Sequence, residues 1–132
     1  MKVAWVGLWV VAILVGTALV TPMTARSRFL DDLARLEIVH IVAHLALYGA
    51  LTALGLHAGL SARRAGALTL GVAVVQEGVQ IGLAGRAPGL PELFDLGVDG
   101  VAIALVLFVA RHREVVGRRH TAPRAVDEGQ GT

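Results

Sequence analysis

The chain has 132 residues, 55% of them hydrophobic and 17% charged, with a formal net charge of +2 and no cysteine. Soluble domains average about 25% charged residues, so the composition points to a membrane and the length to one small domain. The absence of cysteine excludes disulfides, thiolate metal sites and cysteine nucleophiles.

Residues 3–20 form an uninterrupted apolar run with Trp5 and Trp9 near its start. At about 1.5 Å per residue this run covers about 27 Å, enough to cross a bilayer core. Lys2 ahead of it allows a signal-peptide reading. The run is longer than the roughly 7–15-residue apolar region of such peptides, however, and Met23-Thr24-Ala25 is a poor cleavage site, so a retained anchor is expected. Residues 27–37 read as a short amphipathic helix on the membrane surface, with Phe29, Leu30, Leu33 and Leu36 set against Asp31, Asp32 and Arg35.

Three further spans are predicted at about 38–60, 65–84 and 93–110, with Pro22, residues 85–89 and Pro91 punctuating the joints. Beyond Arg111 the apolar residues thin out, and 111–132 is expected to be a basic, disordered tail. The predicted fold is therefore all-α: a four-helix transmembrane bundle over residues 1–110, with an interfacial helix between the first two spans.

Orientation follows from the Lys and Arg bias. With the amino terminus inside, the inner segments hold eight (Lys2, Arg63, Arg64, Arg111, Arg113, Arg118, Arg119, Arg124) against four outside (Arg26, Arg28, Arg35, Arg86). Both termini are expected in the cytoplasm. The pI near 9.9 is explained by these topology-setting residues. Nucleic-acid binding is not expected, because no stacking or basic-patch pattern exists outside the tail.

That topology gathers the polar positions at one depth, toward the outer face. His40, His44 and Tyr48 form an i, i+4, i+8 stripe, Glu77 and Gln80 are i, i+3, and Asp95 and Asp99 are i, i+4. Acids inside a span are costly and functional by default, so one outward-opening polar pocket is expected. Gly55-x-x-x-Gly59 and Gly78-x-x-x-Gly82 fit the small-xxx-small pattern of close helix packing.

Each position carries two readings. Glu77 and Gln80 are either a ligand or proton site or an interhelical clasp, with Glu77 paired to His44 or Arg86. Asp95 is read as the N-cap of the last span, combined with a salt bridge to Arg86, and Asp99 gains from the positive end of the helix dipole. Arg86 is either a lipid-phosphate anchor or a bidentate captor of a phosphate or carboxylate. The histidine pair with Glu77 as third ligand has metal-binding spacing. The HExxH pattern is absent, and a hydrogen-bonded structural pair is expected instead, so no metal or cofactor is assigned.

The order and spacing of these residues resemble the VanZ-like family of small bacterial multi-span membrane proteins. The resemblance covers about 38–107. It rests on His44-x-x-x-Tyr48-Gly49-x-Leu51, on Glu77-x-x-Gln80 followed by Arg86, and on Asp95-x-x-x-Asp99, with Asp99 standing where the family usually has Asn. A second register places His40 on the family histidine and His44 on its tyrosine. The resemblance implies a bacterial plasma-membrane location and a link to glycopeptide (teicoplanin) susceptibility, but no particular reaction.

The favoured expectation is a non-enzymatic protein whose pocket engages membrane lipid or lipid-linked cell-wall intermediates. Arg86 would contact the anion, with Gln80, Glu77, His44 and Asp99 lining the site and His40, Tyr48 and Asp95 structural. The alternatives are an intramembrane hydrolase or transferase with Glu77 as base and His44 as acid or ligand, and a helper that packs on a membrane-protein partner or a second copy. A transmembrane proton relay is disfavoured, since the acids occupy the outer half alone.

Overall fold

The computed structural model describes residues 2–24, 37–85 and 87–121, with side chains through 116. Among these, four helices follow one another with no strand: α1 (Lys2–Thr24), α2 (Glu37–His57), α3 (Ala62–Ala84) and α4 (Leu90–Thr121). All four are long and apolar enough to cross a membrane, and together they form the four-helix bundle of a multi-pass membrane protein. The amphipathic segment at 27–36 and the tail beyond 121 lie outside the described residues.

Helix ends follow local chemistry. Ser61 caps α3, its hydroxyl accepting the Arg64 N–H at 3.4 Å. Gly85 ends the same helix in the left-handed region (φ 62°) and donates its N–H back to the Ile81 and Gly82 carbonyls. Only glycine adopts that conformation without steric cost. The α2–α3 turn uses Gly59 at φ 92°, and the Leu60 N–H closes it on the Gly55 carbonyl at 3.0 Å.

Two of the boundaries that differ from expectation lie at proline. α1 runs through Pro22 to Thr24; Pro22 sits in the last turn, where one missing N–H costs a single helical bond. α4 begins at Leu90 rather than near 93. Pro91 falls in its first turn, where N–H groups have no intrahelical partner anyway. Glu92 reaches back to accept the Gly89 N–H at 2.6 Å, one half of a capping box. Asp95 is consequently in the second turn and does not cap the helix. α4 also continues to Thr121, past the expected end of the span at 110.

α2 and α3 each pack against the other three helices, while among the described residues α1 and α4 do not touch one another. The core joins Val6 and Ile13 of α1, Tyr48 and Leu51 of α2, Val72 and Ala73 of α3, and Ala102 of α4. Large apolar side chains such as Trp5, Leu8, Val42, Leu70, Leu93 and Phe108 face outward. Lipid is as apolar as these side chains, so burying them gains little; close packing and polar clasps must hold the helices.

Close packing occurs at Gly55, where a Cβ would lie 3.2 Å from the Ala65 Cβ, and at Gly66, which faces Ile103 and Leu107 of α4. Of the two predicted glycine motifs, Gly55 alone makes a close approach. Gly59 belongs to the turn, and a Cβ on Gly78 or Gly82 would meet nothing within 4 Å.

Candidate functional site

Four polar residues spaced by four, His40, His44, Tyr48 and Thr52, run down one face of α2, and each finds a partner on another helix. His40 Nε2 donates to Asp95 Oδ1 at 2.9 Å and His44 Nδ1 to Asp99 Oδ1 at 2.9 Å. The constant sequence offset shows α2 and α4 running parallel in register, so an i, i+4 pair on one helix meets an i, i+4 pair on the other. One turn deeper the Tyr48 hydroxyl donates to Gln76 Oε1 on α3. Below that, Thr52 Oγ1 donates to the Tyr48 carbonyl at 2.9 Å and meets the Thr69 hydroxyl at 3.1 Å.

The column is graded in exposure. The His40 side chain is 36% exposed and Asp95 13%, whereas His44 is 6% and Asp99 0%. Tyr48, Thr52 and Thr69 are fully buried. The outer rung therefore touches the surroundings and the inner rungs are sealed. The two imidazoles stack at a tilt, ring centroids 4.4 Å apart.

Beside the column a cleft of about 580 Å³ opens between α1, α2 and α3. Its α1 wall is mostly apolar (Ala12, Ile13, Gly16 and Val20, with Thr17 and Thr21), and His40, His44, Gln76 and Gln80 line the cleft from α2 and α3. Small residues on α1 (Ala12, Gly16) leave that space open. Trp9 holds the helix at its edge by donating Nε1–H to the Leu47 carbonyl at 3.1 Å. The groove between α2 and α4, lined by Ile41, Leu45, Phe94 and Val98 among others, has no such polar lining.

The sequence-predicted residues are thus partly reunited. His40, His44, Asp95 and Asp99 come into direct contact, and Gln80 joins the histidines at the cleft. Glu77 does not pair with His44: it is 4% exposed, and neither carboxylate oxygen has a hydrogen-bond partner among the described residues. His44 is committed to Asp99 instead, because the parallel register of α4 delivers that carboxylate to Nδ1. The base–acid pair required by the hydrolase reading is therefore not assembled. Asp95 pairs with His40. Arg86 lies outside the described residues.

Three contributors escape the sequence reading. Gln76 is overshadowed by Gln80, though Thr69, Gln76 and Gln80 share one α3 face by their seven- and four-residue spacing. Thr52 and Thr69 do not stand out because hydroxyls are commonplace in apolar spans; the next step of the α2 stripe after Tyr48 points to Thr52. Among the described residues one group has metal-ligand proximity, His40, His44 and Asp95, with Asp95 in place of Glu77 as the candidate third ligand.

The chain matches no protein-family model, and no curated protein or solved structure matches it.

Proposed function

We propose that this chain is a VanZ-like protein of the bacterial plasma membrane, with both termini cytoplasmic and the cleft open toward the outer leaflet, that engages the headgroup of a membrane lipid or lipid-linked cell-wall intermediate. The observation that carries this reading is the cleft itself, with the mostly apolar α1 on one side and His40, His44, Gln76 and Gln80 on the other. Its volume falls in the usual small-ligand range of about 300–1,000 Å³, and few polar groups on an otherwise apolar lining is what such sites use to orient a ligand. An amphiphile fits this division: its chains lie along α1 in the lipid, and its headgroup takes the hydrogen bonds of those four side chains. Arg86, in the loop after α3, would add the cation for a phosphate or carboxylate, and through it a role in teicoplanin susceptibility.

The test is lipid retention by the purified full chain, followed by native mass spectrometry. Phosphatidylglycerol and diacylglycerol with identical acyl chains separate headgroup recognition from greasy adhesion. Selective retention of the phosphate lipid, lost in Gln80→Leu, is expected. Equal retention of both lipids would overturn the reading.

A further inference from the structure

His40 and His44, which line the cleft, and Asp95 on α4 each offer one ligand atom, and the three atoms lie within 4.8 Å of one another. Imidazole nitrogens and carboxylate oxygens bind zinc at about 2.0–2.2 Å, which sets tetrahedral neighbours about 3.3–3.5 Å apart. His40 Nε2 and Asp95 Oδ1, 2.9 Å apart, already stand near that spacing. The half-exposed His40 side chain is the one with room to adjust toward that spacing. His44 arrives with its ring fixed: its Nδ1–H donates to the fully buried Asp99, leaving Nε2 with the lone pair. A carboxylate behind an imidazole is the arrangement that sets tautomer and orientation in metal-binding histidines.

A second, independent observation is the surplus of negative charge. Glu77 Oε1 and Oε2 and Asp99 Oδ2 are buried and lack any hydrogen-bond partner among the described residues. Glu77 lies close enough for its charge to act on His40, His44, Asp95 and Asp99. Three carboxyl groups therefore lie near two imidazoles within a membrane span, where buried acids are costly. Among the described residues no lysine or arginine pairs with any of the three. A divalent cation held by His40, His44 and Asp95 would offset negative charge at this site.

We propose that His40, His44 and Asp95 bind a divalent metal of the zinc type, with Asp99 positioning His44 and Glu77 balancing the charge. Three protein ligands leave a fourth tetrahedral position open, the arrangement of zinc sites that take an exogenous oxygen ligand. Because both histidines line the cleft, that position would receive a phosphate or carboxylate oxygen. The metal site nevertheless stands apart from the headgroup reading and is tested without lipid.

Full-length protein in detergent, stripped with a chelator, is titrated with Zn²⁺ by calorimetry and with Co²⁺ by visible absorption. A single saturable equivalent of Zn²⁺ and a tetrahedral Co²⁺ spectrum are expected. Asp95→Asn and His44→Ala should weaken Zn²⁺ binding at least about tenfold, and Asp99→Asn by about 10–100-fold, as loss of an outer-sphere carboxylate does. His40→Gln, at the half-exposed rung, repeats the test if His44→Ala loses helicity by circular dichroism. His57→Ala and His112→Ala should leave the affinity unchanged. Absence of saturable Zn²⁺ binding by helical wild-type protein would overturn the proposal, as would undiminished affinity in both Asp95→Asn and His40→Gln. Phosphatidylglycerol retention by the metal-free protein is scored separately, so failure of the metal site and failure of headgroup binding are distinguished.

Discussion

Replacing His44 by alanine exposes the energetic weight of the inner clasp. The pair is joined by one 2.9 Å hydrogen bond, with exposures of 6% and 0%. The bond alone is worth little in a membrane, about 0.6 kcal/mol on average and up to about 1.7. The greater cost comes from the partner left behind. Asp99 would lose its bonded oxygen's donor while its other oxygen already lacks one among the described residues. Stranding a buried charge costs about 3–5 kcal/mol. We therefore expect His44→Ala to destabilise the bundle by about 3 kcal/mol, measured as the shift in SDS-induced unfolding of purified protein in mixed micelles. Asp99→Leu removes the carboxylate and strands only the imidazole, so about 1–2 kcal/mol is expected. The double variant should be less destabilised than the sum of the two by at least about 1.5 kcal/mol. Additivity within about 0.5 kcal/mol, the behaviour of independent sites, would refute the reasoning.

Other consequences follow from the same geometry. Gly55→Val places a branched Cβ against Ala65, where 3.2 Å is available, and should cost about 1–3 kcal/mol as overpacking does; Gly78→Val, with open space, should be neutral in the same unfolding assay. Tyr48→Phe leaves Gln76 Oε1 without its buried donor and should cost about 1–3 kcal/mol, mostly recovered in Tyr48→Phe/Gln76→Leu. A reporter fused in the turn at 58–61, beside Arg63 and Arg64, should show cytoplasmic activity, as the basic bias requires.

The four spans are legible in the sequence because a membrane helix needs only length and apolarity, both of which are local properties. The polar stripe on α2 is also legible, since residues four apart share a face. Partner choice is not. Whether His44 meets Glu77 or Asp99 depends on the parallel register of α2 and α4, which no single helix encodes. The misplaced cap has the same origin in reverse: Pro91 reads as a stop, yet proline is at home in a first turn, and starting α4 at Leu90 turns Asp95 inward to His40. The Gly78/Gly82 motif fails because spacing says which residues share a face and nothing about what that face meets. Gly78 and Gly82 share one that meets no neighbour within the described bundle.

The cysteine-free sequence makes the most direct test simple. Ala43, on the wall of the cleft between the two histidines, is replaced as Ala43→Cys, and its reaction with a water-soluble maleimide is timed in reconstituted membranes. Ala62→Cys, exposed at the start of α3, serves as the reference. If the cleft engages a headgroup, phosphatidylglycerol should slow labelling of Ala43→Cys at least about tenfold relative to diacylglycerol with the same chains, and should leave Ala62→Cys unchanged. Identical labelling rates of Ala43→Cys with the two lipids would contradict headgroup binding in this cleft.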